Sequence, residues 1–296
     1  MSVTSDLESS VIPEPRESSR SRPRWSMRGK HWLLIVPAML VTLFGVAYPL
    51  ALSLWYGLTK VEGGEKGFSW LFGNPVYLDI MQRTFVTAVI TVLVCIAMGY
   101  PFAYLITVCS PRMRMILLAV AIIPFWISGL VRVFAWLVIM QPNGFLMGLV
   151  PGGIGENLLR SPQAVLIGLA QVLLPFMILP LYSVMRTIDM NLMLAAESLG
   201  ARRSTAFFKI FVPLSLPGLF AGSLVVLVLT LGFYVLPQIL GSPQQALIGQ
   251  VIYTQASTLS NLGRAGALSV TLLGITLLLI MAGIAVRKLV SKERAA

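Results

Sequence analysis

Residues that could perform acid–base, nucleophilic or metal chemistry are scarce in this 296-residue chain. There is one histidine, His31, and there are two cysteines, Cys95 and Cys109. The cysteines lie within or at the end of one apolar run and match no metal or redox spacing, which predicts small core residues. The glycine run at 152–155 is not followed by the Gly-Lys-Ser/Thr of a phosphate-binding loop. We therefore expect no metal centre, no cofactor and no catalytic activity in this chain.

Another set of side chains suits recognition rather than catalysis. Arg132 is the only formal charge inside the apolar runs, and burying an unpaired arginine in hydrocarbon costs about 3 kcal/mol or more. It is therefore expected to face protein, water or an interface, either as a gate residue or as a partner of backbone carbonyls near Pro124. The flanking Trp126 and Trp136 either attract organic cations through their ring faces or belong to an interfacial belt.

The elements that must position these residues follow from the composition. Hydrophobic residues make up 57% of the chain and charged residues 11%, against roughly 45–50% and 25% in soluble domains. Six nearly charge-free runs are each long enough to cross a bilayer, which predicts an all-α membrane protein with six transmembrane helices. The runs are Trp32–Leu58, Phe85–Val108, Met115–Met140, Ala164–Met185, Leu216–Leu240 and Ala267–Val286.

Lysine and arginine orient this bundle. With a cytoplasmic N-terminus, 16 of the 22 basic residues fall in the inside segments 1–31, 109–114, 186–215 and 287–296. This asymmetry predicts cytoplasmic termini and argues against a nucleic-acid partner. The predicted organisation is a disordered tail (1–31), a transmembrane domain (32–286) and a cytoplasmic tail (287–296).

The longest internal inside segment, 186–215, is predicted to contain two short helices. Asp189 or Asn191 can cap a first helix over Met190–Leu199, and Gly200 follows where a helix end favours positive φ. A second helix, Thr205–Phe211, is expected to begin at the cap Ser204 and to end near Pro213 and Pro217. The apolar positions of this segment are Leu192, Leu194, Leu199, Phe207 and Phe208.

A family resemblance appears in the same segment. Ala195-Ala196, Gly200 and Ile210-x-Val212-Pro213 resemble the "EAA…G…IxLP" loop of binding-protein-dependent importer permeases, with Leu194 where that family usually has Glu. In that family the loop is a coupling helix that docks into a groove on the ATPase subunit. The resemblance implies this role for Leu194, Ala195, Ala196, Glu197, Gly200, Ala201, Ile210 and Pro213.

The rest of the chain, roughly 30–290, looks like the spermidine/putrescine subfamily, first permease type. The stretches that carry this likeness are GYPFAYLI (99–106), IIPFWISGLVRVFAW (122–136), LLPFMILPLYSVM (173–185), FYVLPQILG (233–241), LIGQVI (247–252) and GALSVTLL (266–273). The resemblance implies a type I importer permease fold in the bacterial inner membrane. It also implies a second permease, two ATPases that hold ATP and magnesium, and an extracytoplasmic binding protein.

The resemblance further implies a pathway and a cargo. Spans four and five usually line the pathway in this family, which adds Tyr182, Phe233, Tyr234 and Gln238 to Trp126, Arg132 and Trp136. The implied cargo is a polyamine, with opines, aminoethylphosphonate and ferric iron as alternatives. Because the six runs contain no Asp or Glu, we expect the acids that balance a polyamine to come from another subunit.

Two rival functions remain open at this point. A secondary transporter or channel would need no ATPase, but ion-coupled carriers usually place acids inside the membrane. A membrane-embedded enzyme would need a general base or a metal set, which the residues above do not supply.

The charge count makes a testable prediction about topology. Green fluorescent protein fused after Ala296 is expected to fluoresce, because that end is cytoplasmic, and alkaline phosphatase fused after Arg160 is expected to be active. Active phosphatase at Ala296 together with inactive phosphatase at Arg160 would contradict the predicted orientation.

Overall fold

The computed structural model describes residues 30–59, 61–62, 64–142 and 158–293. The predicted tail up to residue 29 and the glycine run at 152–155 lie outside these ranges. The chain divides into two compact units, Met1–Tyr48 and Pro49–Ala296. The described part of the first unit is helical, and its apolar side chains, such as Val41 and Phe44, are largely exposed.

Helices make up nearly all of the described chain. Five of them are long and apolar enough to cross a membrane, and a sixth span is formed if the bent pair α4–α5 counts as one, which confirms the predicted all-α, six-span fold. The helices are α1 (Lys30–Thr59), α2 (Gly67–Gly73), α3 (Pro75–Val108), α4 (Pro111–Ile122), α5 (Gly129–Ile139), α6 (Pro162–Met185), α7 (Asn191–Ser198), α8 (Arg203–Ala206), α9 (Val212–Gly232), α10 (Val235–Leu240), α11 (Ile248–Tyr253) and α12 (Leu262–Glu293).

Shorter elements join these helices. Between α1 and α2, strand β1 (Val61–Glu62) pairs antiparallel with β2 (Glu65–Lys66). Two 3₁₀ turns cover Ile123–Trp126 and Pro243–Gln245, and two π-helical turns cover Phe207–Phe211 and Thr254–Thr258.

The third predicted run, Met115–Met140, is sharply bent in the structure. Helices α4 and α5 meet at 98° across a short break. Pro124 lies in the 3₁₀ turn at this break, where its missing N–H interrupts the helical hydrogen bonds. Helix α5 then restarts after Ser128, whose carbonyl accepts the N–H of Arg132 at 3.1 Å. Arg132 therefore lies in the first turn of a short helix.

The predicted fifth run, Leu216–Leu240, also contains a break. Helix α9 ends at Gly232, and α10 begins at Val235. Between them Phe233 is extended, with φ −74° and ψ 127°. The run is therefore one long helix followed by a short one, which was not predicted because both pieces are equally apolar.

Several helices begin earlier than predicted. Helix α3 begins at Pro75 rather than Phe85, because the side chain of Asn74 accepts the N–H of Val76 at 3.2 Å and proline suits the first helical position. Helix α12 begins at Leu262 rather than Ala267 and extends to Glu293, into the predicted C-terminal tail.

The main core lies where α3, α6 and α9 pack against one another. Small residues allow these helices to approach closely. A Cβ at Gly222 would lie 2.9 Å from the sulfur of Met177 and 3.1 Å from its carbonyl oxygen, and a Cβ at Gly218 would lie 2.9 Å from the carbonyl oxygen of Pro180. The α6–α9 contact therefore depends on the absence of side chains at two positions of α9.

This packing predicts that Gly222→Ala destabilises the protein by about 1–3 kcal/mol, because the added methyl group meets backbone atoms that cannot rotate away. The measurement is thermal unfolding of the detergent-purified protein. Gly45→Ala is the control, since nothing lies within 4 Å of a Cβ there. Equal melting temperatures for the two variants would show that the α6–α9 contact is not tight.

Candidate functional site

The first helix of the 186–215 segment forms close to where the sequence predicts it. Helix α7 covers Asn191–Ser198. The carboxylate of Asp189 accepts the N–H of Asn191 at 2.9 Å, so Asp189 satisfies the helix start. Met193, in the middle of the helix, is only 5% exposed and packs in the main core. The helix is therefore anchored by one face.

Gly200 ends this helix in a Schellman motif. Its φ is +88°, a conformation that favours glycine. The N–H of Gly200 donates to the carbonyl of Glu197 at 2.9 Å, and the N–H of Ala201 donates to the carbonyl of Ala196 at 3.0 Å. These two bonds satisfy helix-end carbonyls and reverse the chain. The predicted positive φ at Gly200 is confirmed.

The second half of the segment differs from the prediction. The helix begins at Arg203, no side chain caps it, and Ser204 lies inside it. It also does not end near Pro213, because Arg203–Gly232 is one 30-residue span. The π turn Phe207–Phe211 explains the continuity: the N–H of Val212 donates to the carbonyl of Phe207, five residues back, directly before the proline.

Aromatic rings attach this π turn to α3. The ring of Tyr104 meets those of Phe207 and Phe211 edge-on, with centroids 5.2 and 5.1 Å apart. One turn earlier on α3, the hydroxyl of Tyr100 lies 2.8 Å from the hydroxyl of Ser215. Edge-to-face pairs contribute about 0.5–1.5 kcal/mol each. The 186–215 segment is therefore firmly joined to the core.

An apolar edge of the same segment is uncovered. Leu199 is 90% exposed, Phe208 68% and Leu194 58%. The other residues predicted for this role lie in the same segment: Ala195 is exposed, Ala196, Glu197 and Ala201 are half-buried, Ile210 lies in the π turn, and Pro213 lies in the first turn of α9. The predicted residues therefore extend from α7 to the start of α9, and we call the three exposed side chains Leu194, Leu199 and Phe208 the open apolar edge of this segment.

The predicted pathway residues of the third span lie on the bent pair. Trp126 ends the 3₁₀ turn and is 87% exposed. The indole N–H of Trp136 donates to the side-chain oxygen of Gln171 at 3.3 Å, which ties α5 to α6. The Nε of Arg132 is buried and has no hydrogen-bond partner among the described residues. This nitrogen of Arg132 is thus a buried donor without an acceptor in the described part of the chain.

The predicted pathway residues of the fifth run lie at its break. Phe233 and Tyr234 line an open groove of about 370 Å³. Gln238 is exposed on α10, which packs against both α5 and α6. The break and the bent pair are therefore neighbours, and six of the seven predicted pathway residues belong to these two places.

Tyr182 does not join them. Gly168 of α6 packs against Leu236 and Leu240 of α10. Tyr182 lies fourteen residues further along α6, which at 1.5 Å per residue is about 21 Å away. It is half-buried against the main core instead.

Sequence reasoning missed three tyrosines. Tyr253 stacks on Tyr234, with ring centroids 4.8 Å apart and planes at 16°. No local pattern indicates this pair, because nineteen residues separate its members. Tyr100 and Tyr104 were also missed, although their spacing of four residues places them on one face of a helix.

The sequence is similar to a known family and to individual members of known transport systems. Residues 96–292 match the family described as "Binding-protein-dependent transport system inner membrane component". The spermidine/putrescine transport system permease protein PotB of Haemophilus influenzae is 34% identical over 226 residues, covering 74% of this chain and 78% of that protein. PotB of Escherichia coli is 33% identical, covering 67% and 74%.

A solved structure shares the fold. A chain of a bacterial alginate ABC transporter, in complex with an alginate-bound periplasmic protein, superposes with a TM-score of 0.69. The match covers 88% of this chain and 96% of that chain at 17% sequence identity.

Proposed function

The chain belongs to the family of binding-protein-dependent transport system inner membrane components, and from this membership we propose that it forms half of the polyamine pathway of an ATP-driven importer. It is the permease subunit of an ABC importer and a multi-pass protein of the bacterial inner membrane. The open apolar edge of the 186–215 segment is the observation that carries the proposal, because it offers the site through which a separate ATPase can act.

In this proposal the edge docks into a groove of the ATPase. Helix α7 packs one face in the core and leaves Leu194 and, at its end, Leu199 exposed, and the π turn leaves Phe208 exposed. Such exposed apolar side chains on short helical pieces suit the helix-in-groove mode of binding. Leu194 stands where the family usually has Glu, so the contact at this position is apolar rather than ionic. Glu197 is half-buried on the same helix and adds a charge beside it.

Membership of this family also implies the remaining subunits of the proposed importer. Two ATPases bind and hydrolyse ATP with magnesium, a second permease supplies the other half of the pathway, and an extracytoplasmic protein delivers the cargo. Closure of the ATPases moves α7, and the aromatic contacts of Phe207 and Phe211 with α3 transmit this motion to the bundle. The two positions of the bundle then give access from opposite sides.

The cargo passes beside the bent pair and the break after α9. The bent pair contributes Trp126, Arg132 and Trp136, and the break with the short helix after it contributes Phe233, Tyr234 and Gln238. Relatives that are 33–34% identical to this chain are spermidine/putrescine permeases by name, which supports a polyamine rather than an opine, aminoethylphosphonate or ferric iron. Tyr182 has a packing role in this account.

The docking proposal predicts that replacing Leu199 and Phe208 together by serine weakens ATPase binding about tenfold or more, since two exposed apolar contacts are lost. The measurement is binding of the purified ATPase to the permease pair. Leu259→Ser is the control, because Leu259 is 53% exposed but lies in the segment that precedes α12. Unchanged ATPase binding by the double variant would contradict the docking site.

The cargo proposal predicts that deleting this chain abolishes the saturable uptake of labelled spermidine and putrescine that its importer provides, and that supplying it on a plasmid restores uptake. Unlabelled polyamines should compete. Persistent saturable uptake in the deletion strain, or competition by an opine, aminoethylphosphonate or ferric iron alone, would contradict a polyamine cargo.

A further inference from the structure

The break after α9 places backbone oxygens beside a second helix. Helix α11 crosses the break with Gly249 against it: a Cβ there would lie 3.1 Å from the carbonyl oxygen of Phe233 and 3.4 Å from that of Gly232. The end of a helix also carries partial negative charge. The carbonyl oxygens at the break therefore supply hydrogen-bond acceptors without a carboxylate.

Two tyrosine rings stand at the same place. Tyr234 directly follows the break, and Tyr253 stacks on it at 4.8 Å. Gly249 and Tyr253 are four residues apart in α11, so they share the face that meets the break. The rings remain accessible, with 37% and 39% of the two residues exposed. Aromatic faces attract ammonium groups.

A side-chain amide adds an acceptor. The Oε1 of Gln250 is buried and has no hydrogen-bond partner among the described residues. Gln250 lies three residues before Tyr253 on α11, so the two side chains are neighbours on the helix surface. A buried acceptor without a donor is unusual in a folded protein, and an ammonium group supplies several donors.

We propose that Tyr234, Tyr253, Gln250 and the carbonyls of Gly232 and Phe233 form a binding site for the ammonium groups of the cargo. This inference rests on the proposed polyamine cargo and identifies the residues of this chain that contact it. Because the six apolar runs contain no Asp or Glu, neutral oxygens and ring faces replace acids here. Such a site holds a polyamine weakly enough to release it, which suits a pathway.

The test uses the complete importer in proteoliposomes, with uptake of labelled spermidine measured over a range of loaded binding protein. Tyr253→Leu and Gln250→Leu are each expected to lower uptake at limiting cargo about threefold to tenfold. Tyr253→Phe keeps the ring and should lose clearly less uptake than Tyr253→Leu. Tyr77→Leu is the packing control, because it removes another aromatic pair, with Trp70 at 4.1 Å, in a cluster that includes Ile248 of α11 but none of the residues of the proposed site.

A charge-specific variant separates binding from folding. Gln250→Glu adds a carboxylate and is expected to lower the half-saturating concentration of spermidine, whereas a structural role would make it as harmful as Gln250→Leu. Normal uptake by Tyr253→Leu and Gln250→Leu would overturn the site and leave the polyamine proposal standing. Equal losses in Tyr253→Leu and Tyr77→Leu would also overturn the site. Absence of spermidine uptake by the wild-type importer would overturn both proposals.

Discussion

Hydrocarbon offers no hydrogen-bond partner to the backbone, and the architecture of this protein depends on that constraint. The chain forms long helices in which threonine hydroxyl groups also donate hydrogen bonds to carbonyls of the same helix. The hydroxyls of Thr84, Thr91 and Thr230 donate to carbonyls four residues earlier at 2.8, 2.8 and 2.7 Å. Three departures of the backbone from the regular α-helix lie at the sites of the proposed function. They are the bend after Pro124, the break at Phe233 and the π turn before Pro213.

The span Arg203–Gly232 connects two of these places. Its 30 residues make a helical rod about 45 Å long, which includes the π turn and Pro217. One end carries Phe208 of the open apolar edge, and the other ends at the groove beside Tyr234. Glycine contacts with α6 and aromatic contacts with α3 hold the rod along its length. In the proposed function, a displacement at the 186–215 segment therefore reaches the groove beside Tyr234 through one continuous element.

Local signals were sufficient for much of this structure. Charge-free runs predict spans because hydrocarbon excludes charge, and Gly200 predicts its turn because positive φ is a local property. The bend at Pro124 and the break at Phe233 were missed because an apolar run has the same composition whether its helix is straight or broken. Helix packing decides two further features, the stacking of Tyr253 on Tyr234 and the distance of Tyr182 from the break. A local stretch of sequence carries no information about this packing.

The most direct test of the account is uptake by proteoliposomes that contain this chain, its partner permease and the ATPase, with the loaded binding protein added outside. The account predicts that uptake requires ATP inside the reconstituted system and the binding protein, and that it stops when this chain is omitted. Uptake by this chain alone, driven by an ion gradient and indifferent to ATP, would contradict it and would favour a secondary transporter.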